Sequence, residues 1–208
     1  AYEIYQCDWS SDVCSSDLML AKARQACPGA AWECRGIAGW SAAAPVDLVF
    51  SNAALHWLPS HDTLFPHLAA QVAPGGTLAV QMPRNFLAPS HTAVADTVRA
   101  GPWRERLQDM LAPPPVDEPA AYYERLRPHA AALDVWETEY LQVLQGPDAV
   151  KEWTKGTWLK PFLDRLQEPE RAAFEADYAA RVARAYPRRA DGSTLFPFRR
   201  LFIVMTKT

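Results

Sequence analysis

The chain has 208 residues, of which 49% are hydrophobic and 22% charged, and its formal net charge is -3. That is enough chain for one folded domain with a sizeable core, or a core and a small cap. The charge balance gives no reason to expect a nucleic-acid or anionic-membrane partner, and no apolar run approaches the roughly 20 residues of a membrane-spanning helix.

Residues 1–18 differ in texture from the rest of the chain. They contain no Lys or Arg, carry Glu3, Asp8, Asp12 and Asp17, and show neither helical nor strand periodicity. The stretch Asp8–Leu18, DWSSDVCSSDL, reads as a translated sequencing-adapter end standing in place of a natural N-terminus. No basic start and long apolar run of a signal peptide is present. Met19–Ala26 predicts the end of a helix, stopped by Pro28-Gly29. Ala31–Arg35 is a candidate strand and Gly36–Ala44 a loop of small residues. Cys7, Cys14, Cys27 and Cys34 form no CxxC and have no histidine at ligand spacing, so no metal site is expected.

Val46–Ser51 is a near-continuous apolar run, the pattern of a strand covered on both faces in a parallel sheet. Leu64, Phe65, Leu68 and Val72 then recur at the spacing of one helical face. Pro74-Gly75-Gly76 is expected to end that helix, and Thr77–Met82 to form the next strand. This is a β-α-β unit with a right-handed crossover. Ligands in such sheets lie beyond the carboxyl ends of the strands, so Asn52 and Gln81, which close the two strands, are candidate ligand contacts.

Past Pro83 the pattern changes to short helices: Thr92–Arg99, Trp103–Leu111, and, after the break Ala112-Pro113-Pro114-Pro115, Glu118–Leu126. Leu133–Val143 alternates like a strand. Ala149–Trp158, Leu159–Leu166 and Pro169–Tyr186 read as helices, the last with proline at its favoured starting position. Leu201–Met205 is the closing strand. Two strands bracketing a helical insertion form an antiparallel pair at one edge of the sheet.

DLVFSNAALHWLP, LFPHL, PGGTLAVQMP and the closing RLFIV, with AYY and WTKGTWLKPFL in register, together resemble the trans-aconitate 2-methyltransferase family of class I S-adenosylmethionine-dependent enzymes. The likeness runs from about Met19 to Thr208. It implies an α/β fold: a Rossmann-like class I methyltransferase sheet, incomplete at the N-terminus, with a helical cap inserted before the last antiparallel strand. The corresponding division is residues 1–18 as a segment apart, 19–100 as a partial core and 101–131 as the first part of the cap. Residues 132–145 come next as a core strand, 146–194 as the second part of the cap, and 195–208 as a core edge strand.

The resemblance also implies a cytoplasmic enzyme with S-adenosylmethionine as cofactor and a small polycarboxylate as substrate. Asn52, Ala53, His56 and Trp57 match the cofactor side of the family's fourth strand and its following loop, and Gln81 matches the end of the fifth strand. Three anchors of the family are missing from the sequence. These are the glycine-rich loop, the acidic residue that holds the ribose, and the Asp near the adenine, where this chain has Gly36-Ile37; Ile37 is carried as the cofactor contact there.

A carboxylate is ionised at neutral pH, so methylating it by in-line displacement needs no general base, and no catalytic residue is expected. A tricarboxylate does need cations with planar geometry. Candidates for the substrate are Arg84, Lys160, Arg199 and Arg200, with Tyr122, Tyr123 and Trp153 as hydroxyl donors and aromatic walls, and Gln81 at the strand end. His61 and His67 read as exposed helix residues. Alternatives are a catalytically incompetent fragment or a methyltransferase for another small acid; a nicotinamide-binding module would need a GxGxxG that the chain lacks.

Overall fold

The structure, a computed structural model, describes residues 13–33 and 36–208. It divides into two compact units. One comprises the described residues up to Pro83, with Pro115–Thr138 and Leu201–Thr208; the other comprises Arg84–Pro114 and Glu139–Arg200.

In the first unit, helix α1 spans Val13–Ala26 and so begins well upstream of Met19, inside the segment expected to lack periodicity. The rest of that segment, residues 1–12, lies outside the described residues. The strand expected at Ala31–Arg35 is not formed over residues 31–33, and Cys34 and Arg35 lie outside the described residues. The Trp32 indole N–H donates to the Cys27 carbonyl at 3.1 Å, which turns the segment back on the helix end. Residues 37–44 form a short 3-10 turn, Ile37–Gly39, and a loop. The Gln71 side chain accepts from the Ala42 N–H at 3.0 Å, and His67 Nε2 donates to the Trp40 carbonyl at 2.6 Å, tying this loop down.

Strand β1, Val46–Asn52, pairs in parallel with β2, Val72–Pro83, through helix α2, His61–Ala70. Helix α2 buries Leu64, Phe65 and Leu68, the face read from the sequence. Val72 is buried too, but it belongs to β2. The Pro74-Gly75-Gly76 turn does not end the helix. It is a bulge inside β2: between the pairs Val46↔Val72 and Leu48↔Thr77, β2 advances further than β1. Gly75 takes φ +78, and a Cβ on Gly76 would stand 2.8 Å from the Asp47 carbonyl oxygen, so both glycines are required there. Coverage of β1 on both faces is a second correction. Val49 is buried, but Leu48 and Phe50 on the opposite face are 48% and 54% exposed. Of the strand's two faces, the one that carries Val49 is covered and the one that carries Leu48 and Phe50 is open.

Strands β3, Ala130–Gln145, and β4, Ser193–Lys207, complete the described sheet, in the order β1-β2-β4-β3. Pairs Thr208–His129, Trp136–Phe202 and Glu139–Arg199 run in opposite directions along the two strands, so they are antiparallel, as expected. β4, expected at the edge, lies between β2 and β3. It also begins at Ser193, well before Leu201. Phe196, Phe198, Leu201, Ile203 and Met205 are buried along it, and Pro197 hides the start of the pattern by reading as a break. Helix α5, Pro119–Leu126, also belongs to the first unit.

The second unit is mainly helical: α3 (Pro89–Ala100), α4 (Arg104–Leu107), α6 (Ala149–Lys155), α7 (Lys160–Asp164) and α8 (Glu170–Ala185). Val94, Val98, Leu159, Leu163, Phe174 and Val182 form its core. Tyr178 from α8 is fully buried, and its hydroxyl donates to the Ser90 carbonyl at 2.8 Å while meeting the Thr154 hydroxyl at 2.9 Å. Burial raises its pKa, so the phenol stays protonated and keeps the bond to Ser90.

Candidate functional site

The first unit places one group of candidates at the carboxyl ends of β1 and β2. Asn52 and Gln81 are register partners, and the Ala53 N–H donates to the Gln81 carbonyl at 2.9 Å. Ala53 sits at φ 51 and Ser60 at φ 61. The loop after β1 therefore begins and ends in the left-handed region, which costs a residue with a Cβ about 1 kcal/mol. Strain of that kind marks strand ends that must present a backbone at a fixed place. Within the loop, Asn52, Ala53 and Trp57 are exposed, whereas His56 is buried beneath Trp57 with ring centroids 4.4 Å apart. Burial, and then the neighbouring His61, lower the His56 pKa to about 4, so its ring is neutral at pH 7. Ile37 is 4% exposed and offers little surface to a ligand. Gln81 is likewise buried.

Tyr122, expected as a substrate wall, is fully buried. Its hydroxyl lies 2.6 Å from His61 Nδ1 and accepts the Asp117 N–H at 3.1 Å. His61 Nε2 lies 2.9 Å from the Leu55 carbonyl, which can only accept, so Nε2 donates and Nδ1 accepts from the tyrosine. His61 is therefore not an exposed helix residue: it is a neutral strut between α5 and the His56–Trp57 loop. Its pKa is lowered chiefly by burial. Arg125, which the sequence did not single out, lies over the Tyr122 ring at 5.2 Å and bridges Asp62 and Asp117, the latter at 2.7 Å. Tyr123, next along the helix, is 41% exposed.

In the second unit the basic candidates fall into two places. The Arg84 N–H donates to the Arg199 carbonyl at 3.0 Å. Asn85, buried at 4% exposure, binds the same residue from both sides: its Oδ1 accepts the Arg199 N–H at 2.8 Å and its Nδ2 donates to the Arg199 carbonyl at 3.2 Å. Arg84, Arg199 and Arg200 are thus held on neighbouring backbones by one amide. The Arg200 guanidinium lies 5.7 Å from the Tyr140 ring centre and 5.3 Å from that of Phe198. Arg199 pairs loosely with Glu139 at 3.5 Å. Asn85 was missed in the sequence, and its signal was an amide directly after the strand-ending Met-Pro-Arg. Lys160 is not in this group: it is exposed and paired with Asp164 one turn along its own helix. Trp153 packs on Phe196 and Phe198, each ring 5.0 Å away, and so backs the strand that carries Arg199 and Arg200.

No family model matches the chain. Curated relatives do, two of them as follows. The chain is 47% identical to a trans-aconitate 2-methyltransferase of Azoarcus over 193 residues, which cover 93% of it and 76% of the relative. It is 40% identical to a trans-aconitate 2-methyltransferase of Rhizobium etli over 206 residues, 99% of this chain and 80% of that one. Among solved structures it is similar to a candidate methyltransferase of Bacillus halodurans, with a TM-score of 0.52 and 10% identity over 92% of this chain and 79% of the other. That likeness concerns the fold alone: an α/β sheet of the Rossmann-like methyltransferase kind.

Proposed function

We propose, because the chain belongs to the trans-aconitate 2-methyltransferase family, that it transfers a methyl group from S-adenosylmethionine to one carboxylate of trans-aconitate or a similar small polycarboxylate, by direct displacement. One observation carries the substrate reading: Arg84, Arg199 and Arg200 share a short stretch of backbone fixed by Asn85. Guanidinium groups bind carboxylates at two points in a fixed plane. Arg199 meets Glu139 and Arg200 lies over Tyr140 on opposite sides of the strand, so a small polycarboxylate is read as using Arg84 with one of the two.

Bound S-adenosylmethionine supplies a methyl group on a positively charged sulfur. The strand ends fit one wall of its site: Trp57 offers an exposed aromatic face, Asn52 an exposed amide, and Ala53 a backbone already held in place. The rest of the work falls to alignment. An ionised carboxylate attacks without a general base, and His56, with a pKa of about 4, is too weak a base to be one. Correct placement of two reactants is worth up to several kcal/mol of a barrier.

A second reading, a fold without turnover of its own, draws on the exposed Leu48 and Phe50 of β1, an uncovered face beside the candidate loop. A panel of acids separates the two. Trans-aconitate, an unsaturated dicarboxylate and an unsaturated monocarboxylate are offered with the same methyl donor. The first reading expects kcat/KM to fall about tenfold for each carboxylate removed, the worth of one charge-assisted contact. Equal rates across the panel contradict the role of the arginines, and no methyl ester with any acid supports the second reading.

A further inference from the structure

The second unit holds a cavity of about 390 Å³ lined by one face of α3, the Met110–Pro114 segment and residues from Trp158 to Phe162. Val94, Ala95, Met110, Leu111 and Phe162 make its walls apolar. Among the described residues no carboxylate lines it, and Arg99 is its charged lining residue. Phe86, His91 and Trp158 form a triangle of rings with centroids 5.3–5.4 Å apart.

Of the polar atoms of that triangle, His91 Nδ1 accepts, and His91 Nε2 and Trp158 Nε1 are donors. Ser90 Oγ is 3.0 Å from His91 Nδ1. Ser90 is fully buried and its hydroxyl has no other acceptor among the described residues, so its proton goes to Nδ1. Burial lowers the His91 pKa to about 4, so the ring is neutral and its one proton sits on Nε2. Nε2 has no hydrogen-bond partner among the described residues. Trp158 Nε1 is buried and likewise has none. The Arg99 guanidinium is 63% exposed and reaches Asp96 only at 3.5 Å. An apolar cavity with one neutral donor and one cation at its lining suits a ligand with an apolar body and a single anionic acceptor.

We propose that this cavity binds a small monocarboxylate with a planar apolar body, an arylalkenoic acid being of the right kind. The body fills the apolar walls against the Trp158 ring, and the carboxylate accepts from His91 Nε2 and pairs with Arg99. The volume suits a small ligand. A tricarboxylate does not fit the same chemistry, because two of its charges would be buried against Val94, Leu111 and Phe162.

Calorimetric titration of the full chain with trans-cinnamate, without any methyl donor, tests this. Binding should saturate, and methyl cinnamate, which keeps the body and loses the charge, should bind about tenfold more weakly, the worth of a charge-assisted hydrogen bond. Arg99→Gln, at an exposed position, should weaken cinnamate about fivefold and leave the ester unchanged. Ala95→Trp fills the cavity and should remove both, with the melting curve reporting that the variant folds. No binding by the unaltered chain, equal affinity for acid and ester, or full cinnamate affinity in Arg99→Gln or a folded Ala95→Trp overturns the proposal.

Discussion

His56 and His91 are 5% and 8% exposed, and each is held at a pKa of about 4, chiefly by burial. In the unfolded chain a histidine titrates near 6.5. Between those values the unfolded state binds more protons, so stability is full above pH 6.5 and is lost as pH falls toward 4. At pH 5 the loss is at most about 2 kcal/mol for each histidine. The urea midpoint should therefore fall between pH 7 and pH 5, and the fall should be smaller in His56→Asn or His91→Asn. Identical midpoints at the two pH values would show that the rings are not held neutral. Tyr122→Phe tests the other buried imidazole. It removes the hydroxyl that meets His61 Nδ1 at 2.6 Å and the acceptor for the Asp117 N–H. Taking this partner from a buried imidazole nitrogen and a part-buried N–H should cost about 1–3 kcal/mol in chemical denaturation. Because His61 also holds the Leu55 carbonyl, methyl-donor affinity should weaken with it.

Among the elements, α3 and the turn after it are the most tightly specified. The Trp103 indole N–H donates to the Thr97 carbonyl at 2.8 Å, and its ring meets Phe174 edge-on at 5.2 Å. A Cβ on Gly101 would lie 2.2 Å from that ring. Gly101→Ala must push Trp103 out of its place and should cost about 1–3 kcal/mol by overpacking; an unchanged melting temperature contradicts this packing. The elements themselves were unevenly legible in the sequence. Apolar periodicity was enough for α2 and the apolar runs for β1 and β2, since burial repeats with the period of the backbone. Pro74-Gly75-Gly76 misled because glycines that end a helix and glycines that form a bulge serve the same need for a positive φ and a close approach. Pro197 hid the first half of β4, although Phe196 and Phe198 already carried its alternation. Among the proposed contacts, Asn52 could be read from its place at a strand end, and Ala53 and Trp57 from the family resemblance. His61, Asn85 and Arg125 could not, because their roles depend on partners such as Tyr122, Arg199 and Asp117 that are distant in sequence or across a helix face.

Over the whole chain, the described sheet ends at β1 with Leu48 and Phe50 uncovered on one face. An exposed apolar strand at the end of a sheet invites association with other chains. Light scattering should report self-association that rises with concentration and is reduced in a Leu48→Thr, Phe50→Lys double variant; an unaltered chain that stays monomeric at high concentration contradicts this. Family membership, the strand-end loop and the arginines of the second unit together lead to one chemical outcome. Mass spectrometry of trans-aconitate incubated with the chain and isotopically labelled S-adenosylmethionine tests it most directly. A labelled monomethyl ester should form, and Arg84→Gln or Arg200→Gln should raise the KM for trans-aconitate about tenfold with kcat little changed. Absence of the ester above the enzyme-free blank at every methyl-donor concentration, or a KM untouched by either substitution, would contradict the account.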